Sequence, residues 1–335
     1  MKLLINNKNL KEISEKVTED YALKIGQFEE DEINDIINHI SENEWENAVF
    51  SGDTQFKTGF DKEYKIKLDL SDNEFSIKKE DKNKSPQFNT YTSILDAFKN
   101  NKLNCIKNLI LDKNVIKFLK KYFGYAPMIN TQLGFFHSEY AKSNTGETIN
   151  WQQHMHIDAL WTKTQIPKVH YKFSLRFFVL LKDVDETDGP TTAIKGTTDE
   201  DGVIGKYLYH NLPSVNSGRI PNEEWFYKTF SKDRFVKCIG KKGDIFAVRT
   251  DGWHCGGRSQ KNGKRTTFQI DFNNIQTLNA IRNDKYVQGE NFFHSKVFTE
   301  KDLKPESFTQ CKKIFGDEIV NKMPWYFLLL ENFTS

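Results

Sequence analysis

Disulfide chemistry has little to work with in this chain. Only four cysteines occur in 335 residues (Cys105, Cys238, Cys255 and Cys311), and none form a C-x-x-C pair. Their spacing builds no disulfide framework, so the expected setting is reducing and cytoplasmic. An excess of one charge is missing too. Lys plus Arg number 48 against 46 Asp plus Glu, which removes any global pull toward nucleic acid or an anionic membrane. No apolar run approaches membrane-spanning length. The opening Met1–Lys8 stretch is too poor in apolar residues for a signal peptide, and no repeat or low-complexity segment interrupts the chain.

What is abundant is aromatic. The 27 Phe, 12 Tyr and 6 Trp can build a large core, because each ring buries much area. Residues 1–125 read as a helical N-terminal support. Ile33, Ile36, Ile37 and Ile40 recur at helical spacing behind the acidic run Glu29–Glu32, which suits a helix N-terminus. Ser93 is placed to cap a helix through Phe98. Asp112 is placed to cap another that buries Val115, Ile116, Leu119, Tyr122 and Phe123. Residues 51–90 read as irregular β-structure or loop.

From Met128 the pattern turns to strands: Met128–His137, Tyr171–Leu181, Phe235–Ile239, Gly243–Arg249 and Arg265–Asn273. The last three are short and bounded by Gly, Asp or Asn, as in a β-core, so residues 126–275 are expected to form the core of a mixed α+β, β-dominated chain. The polar insertion 197–233 has the length of a functional lid or a partly ordered loop. Residues 276–335 return to helix and loop and end in Trp325–Leu330, a stripe expected to pack on the core. Tyr171–Leu181 is nearly all apolar after Leu175 and should be buried on both faces. Arg176 interrupts it and needs an anionic partner, either a substrate or an internal Asp or Glu, the internal pair being the commoner arrangement.

The chemistry concentrates in Trp151–Trp161. His156 and Asp158 are two apart, which puts both side chains on one side of a strand. His254, far along the chain at the end of the run opened by Gly243-Asp244, supplies a third ligand. Two His and one carboxylate on one face of a metal leave the opposite face open, an arrangement suited to Fe(II) and oxygen chemistry. Open positions would take a 2-oxo acid and O2. The far carboxylate of that acid needs a fixed cation, and Arg265 can offer a planar, bidentate one. His154 shares a strand face with His156, but only His156 is followed by Asp two residues later. His154 therefore reads as a neighbour of the metal site or a substrate-facing group. His137 and His170 read as satisfied strand histidines, Cys255 as a buried thiol, and Gly256-Gly257 as freeing a tight turn. Trp253 and Trp161 suit pocket or core equally, and Gln132 and Arg176 suit the pocket wall or plain packing.

These residues resemble the phytanoyl-CoA dioxygenase-like family of Fe(II)/2-oxoglutarate-dependent oxygenases. The resemblance is carried by His156-Ile-Asp158, Phe178–Pro190, the turn Ala193-Ile-Lys-Gly196-Thr-Thr, and Gly243-Asp…His254…Arg265. It covers roughly residues 20–275. The turn departs from the family pattern, with Lys195-Gly-Thr-Thr198 where Pro-Gly-Ser-His is common. The resemblance implies a single oxygenase domain over 1–335 and a double-stranded β-helix, or jelly roll, with helices on either side. It implies His156, Asp158 and His254 as iron ligands and Arg265 as the anchor of 2-oxoglutarate, with Thr267 adding a hydroxyl. A small-molecule substrate would be hydroxylated with release of succinate and CO2. Related halogenases have a small residue in place of the carboxylate, so Asp158 points to hydroxylation or another oxidation. Two other functions stay open: an oxygenase acting on a protein or other macromolecule through the surface of 197–233, and a non-catalytic jelly-roll binding module.

Overall fold

A computed structural model describes residues 1–42, 68–69, 76–77, 87–93, 102–123, 127–130, 132–139, 155–156, 172, 174–197, 224–274 and 327–329. The elements in chain order are β1 (Lys2–Leu3), α1 (Leu10–Asp20), β2 (Ala22–Gln27), α2 (Glu30–Glu42), β3 (Leu68–Asp69), β4 (Ser76–Ile77), β5 (Gln87–Ser93), α3 (Asn104–Leu111) and α4 (Lys113–Phe123). Then follow β6 (Pro127–Asn130), β7 (Gln132–Glu139), β8 (Ser174–Leu180), β9 (Thr191–Ile194), α5 (Glu224–Thr229), β10 (Phe235–Lys237), β11 (Asp244–Val248), β12 (His254–Gly256), β13 (Lys264–Asn274) and β14 (Phe327–Leu329).

Among the described residues all strand pairs are antiparallel, in two main sheets and one short two-stranded pair, β3 with β4. The large sheet runs β1-β2-β11-β8-β13, and β6 and β7 then share the far side of β13. The small sheet runs β10-β9-β12, and an isolated antiparallel bridge adds His156 beside His254.

Strand alternation sorts the large sheet into two faces. Leu175, Phe177 and Val179 of β8, Ile245 and Ala247 of β11, and Phe268, Ile270 and Phe272 of β13 share one buried cluster with helices α1 to α4. Phe178 and Leu180 of β8 and Phe246 and Val248 of β11 point the other way, and meet Ala193 of β9 and Cys238, just past β10. Two antiparallel sheets facing one another over a shared core form the jelly roll, and the helices cover its outer face. Each fully buried Phe in these clusters contributes roughly 1.5–3 kcal/mol of hydrophobic stabilisation. No helix among the described residues is long and apolar enough to cross a membrane.

Asp112 does cap α4: its Oδ1 accepts from the backbone N–H groups of Asn114 at 2.8 Å and Val115 at 3.1 Å. Residues 1–125 are not only a helical support. β2 joins the large sheet beside β11, and Lys24 reaches Asp244 at 2.6 Å. Its sequence, Ala-Leu-Lys-Ile-Gly-Gln, has few strand formers; pairing and burial of Ala22 and Ile25 override propensity. Ser93 ends β5, and the helix expected after it lies outside the described residues. Of the strand expected over Met128–His137, the described residues form β6 up to Asn130 and β7 from Gln132, and residue 131 lies outside them. The C-terminal stretch contributes β14, which pairs with β6. Most of 51–90, residues 138–150 beyond Glu139, and 198–223 also lie outside the described residues.

Candidate metal centre

His254 does not end the strand opened by Gly243-Asp244. That strand stops at Val248, and His254 begins β12 in the opposite sheet. The connection between them is held firmly. Arg249 donates to the Thr18 carbonyl at 3.0 Å, pairs with Asp251 at 3.1 Å, and lies 4.5 Å from the Tyr21 ring centre. A Cβ on Gly252 would meet the Tyr21 ring at 2.4 Å, so only glycine fits there. The Trp253 backbone N–H donates to Thr197 Oγ1 at 3.0 Å. Trp253 is core: it is fully buried, and its ring meets Phe226 edge-on at 5.0 Å.

This frame sets His254 opposite His156. Each backbone N–H donates to the other's carbonyl at 2.9 Å. Residues paired in this way project to the same side of a sheet, and the imidazole centres are 4.3 Å apart with planes inclined by 50°. The two residues are 7% and 2% exposed, too little for free solvation of either ring. His254 Nδ1 is 3.0 Å from the Gly252 carbonyl oxygen. A carbonyl only accepts, so in the neutral ring Nδ1 carries the proton and Nε2 carries the lone pair. This is the tautomer a metal ligand requires.

The separation also fits a shared ion. Two imidazole nitrogens about 2.1 Å from one metal, with bonds near a right angle, put their ring centres about 4.5 Å apart. Among the described residues no three His, Cys, Asp or Glu side chains cluster tightly enough to complete a site. Asp158, the expected carboxylate, lies outside the described residues two positions beyond the bridge, as does His154.

Arg265 is 6% exposed on β13. Its Nη1 donates to the Gly189 carbonyl at 2.6 Å and to Thr191 Oγ1 at 3.5 Å. Among the described residues no carboxylate pairs with it. Burial pushes its pKa down to about 10, with only the Cys255 and Cys238 thiols acting in the opposite direction. The group is still a cation at neutral pH. A buried cation without an anion is costly, and an anionic ligand would relieve it. Gly256 is what lets it lie there, since a Cβ at that position would meet Nη2 at 2.3 Å. Gly257 is similarly pressed against the Pro190 carbonyl, where a Cβ would lie 2.7 Å away. The two glycines therefore serve close approach rather than a tight turn.

Thr267 is buried two residues on from Arg265, on the same strand face. Farther along that face, Gln269 and Asp271 meet Arg176. Its Nε and Nη2 both bond the Asp271 carboxylate, and Nη1 reaches Gln269 Oε1 at 3.2 Å. Arg176 thus has the internal partner its place in β8 demanded. Gln269 and Asp271 carry no motif, yet a signal was readable. Thr266, Phe268, Ile270 and Phe272 alternate with Arg265, Thr267, Gln269 and Asp271, so β13 has one polar face turned into the roll. His137 is satisfied by Thr266 at 2.8 Å, and Cys255 is a buried thiol. His170 lies outside the described residues.

No family model matches the sequence, and no curated protein matches it. Several solved structures resemble it in fold. The epimerase SnoN in complex with Fe3+, alpha ketoglutarate and nogalamycin RO is 10% identical, covers 88% of this chain and 94% of its own, and gives a TM-score of 0.47. EctD from S. alaskensis with bound Fe is 12% identical over 79% of this chain and 77% of its own, with a TM-score of 0.46. HygX from Streptomyces hygroscopicus, with nickel, 2-oxoglutarate and hygromycin B bound, is 11% identical over 81% and 88%, with a TM-score of 0.44. Likenesses this distant decide neither reaction nor substrate.

Proposed function

We propose that this chain is an Fe(II)- and 2-oxoglutarate-dependent oxygenase that hydroxylates a small molecule. The observation that carries the reading is the backbone-paired couple His156 and His254. It joins two buried imidazoles at 4.3 Å from distant parts of the sequence, one with its proton fixed on Nδ1. Asp158 completes the facial set. Arg265, a buried cation lacking a carboxylate partner among the described residues, holds the distal carboxylate of 2-oxoglutarate, and Thr267 adds a hydroxyl donor.

The chemistry the iron would supply is activation of O2, coupled to splitting of 2-oxoglutarate into succinate and CO2 and to conversion of a substrate C–H into C–OH. The protein's own work is positional. The Gly252 carbonyl fixes the tautomer and tilt of His254, and the His156 bridge fixes its neighbour. Arg265 orients the co-substrate by its planar fork. The low exposure of both histidines suits chemistry sheltered from bulk water.

The test is succinate release from 2-oxoglutarate by purified protein supplied with Fe(II), ascorbate and O2. We expect slow turnover without substrate, abolished in His156→Ala, Asp158→Ala and His254→Ala. Wild-type protein that forms no succinate and gains no thermal stability from 2-oxoglutarate would overturn the assignment.

A further inference from the structure

We infer that Arg176, Gln269 and Thr267 form an oriented hydrogen-bond relay that fixes the Thr267 hydroxyl as a donor toward the distal carboxylate of 2-oxoglutarate. The inference rests on the co-substrate reading above and adds two positioning residues to it. Its direction follows from donor chemistry alone. A guanidinium has only N–H donors. Arg176 is clamped in its plane by two bonds to the Asp271 carboxylate, which leaves Nη1 aimed at Gln269. The end of the Gln269 amide that meets Nη1 must therefore be the accepting Oε1. Flipping the amide would set N–H against N–H.

With Oε1 committed, the other end must donate, and Nε2 lies 3.2 Å from Thr267 Oγ1. The Thr267 oxygen is thereby an acceptor in this contact, and its own O–H has to point elsewhere. Thr267 is 1% exposed, so bulk water is not the recipient, and among the described residues no acceptor takes that proton. A buried donor left unmade is unfavourable. On the same strand face, two residues away, stands the Arg265 cation. A carboxylate between them would accept from both, with the hydroxyl already turned to meet it.

A lone threonine hydroxyl is a rotor that can donate or accept, and it would lose that freedom on binding. The relay removes the choice before the ligand arrives. The far end of the relay, the Arg176–Asp271 pair, is about one-fifth exposed, at 20% and 21%. The relay thus runs from a partly open stretch of the roll interior to the anchor of the co-substrate.

The experiment is calorimetric titration of 2-oxoglutarate into Mn(II)-loaded protein, in a double-mutant cycle. Gln269→Met keeps the volume but removes the relay without adding charge. We expect it to raise Kd by about three- to tenfold, the worth of one oriented hydrogen bond. In a Thr267→Val background the same change should alter Kd by less than about twofold, because the hydroxyl it directs is gone. Thr267→Ser should keep the full sensitivity. Should Gln269→Met fail to fold, Gln269→Glu replaces it. Glutamate accepts from both neighbours and draws the Thr267 proton back. It should therefore weaken binding more in the wild-type background than in the Thr267→Val background, where only the added charge acts. Wild-type protein that binds no 2-oxoglutarate sinks the co-substrate reading itself. Wild-type binding with equal effects of the Gln269 change in both backgrounds, or with no effect in either, overturns the relay alone.

Discussion

Substituting Gly256→Ala tests the anchor without touching a charged group. Gly256 does not adopt the left-handed backbone that would exclude alanine. The added Cβ, however, would lie 2.3 Å from Nη2 of Arg265, 3.0 Å from Nη1 and 3.1 Å from Cζ. Ordinary contact begins at 3.4 Å, so the guanidinium must retreat by about 1.1 Å. The obstructed group is the far end of a flexible side chain, so the fold should survive with an overpacking loss of about 1–3 kcal/mol. The fork would no longer keep its 2.6 Å bond to Gly189 and face a bound carboxylate at once. Losing the charge-assisted bonds to that carboxylate costs about 1.5–3 kcal/mol, which is about ten- to a hundredfold in Kd for 2-oxoglutarate. Calorimetry on Mn(II)-loaded protein measures this directly, with metal affinity as the control because it depends on the histidine pair. An alanine variant that folds, holds the metal and binds 2-oxoglutarate as tightly as wild type would refute the role given to Arg265.

Arg265→Met should part stability from binding. The folded-state pKa lies below the ordinary arginine value, so the folded chain holds that proton less readily, and the penalty is fully present below pH of about 10 and fades above it. Ligand-free Arg265→Met should therefore melt no lower than wild type at neutral pH, up to about 3 kcal/mol more stable, while losing stabilisation by 2-oxoglutarate; a lower melting point with binding intact would contradict this. Asp251→Ala strips the buried Arg249 of its carboxylate and should lower stability by about 3–5 kcal/mol in urea unfolding. An unchanged midpoint would show that the β11–β12 connection is not held by that pair. Asp112→Ala removes the α4 cap and should cost about 1 kcal/mol by the same assay, with 2-oxoglutarate affinity unaltered.

Much of the candidate site was legible because its residues carry unusual chemistry. His156, His254 and Arg265 stood out by type and spacing before any coordinates, and so did the apolar run of β8. The long-range pairings were not legible. That His254 belongs to the small sheet depends on the turn through Asp251 and Gly252, which follows the end of β11 at Val248 and starts a new strand at His254. β2 escaped notice because its lysine, glycine and glutamine are poor strand formers, and its place is set by pairing with β11. Arg176 announced a need for an anion but not which one; only the register that sets Asp271 opposite it answers that. The reason for Gly256 is likewise three-dimensional, since the atom that excludes a side chain there belongs to Arg265, in the next strand.

The most direct test of the account is an anaerobic titration of the purified protein with Fe(II), followed by 2-oxoglutarate, watched by visible absorption. We expect one Fe(II) per chain and a metal-to-ligand charge-transfer band that appears only when both are present, absent from His254→Ala and Asp158→Ala. Wild-type protein that takes up no Fe(II), or variants that develop the same band, would contradict it.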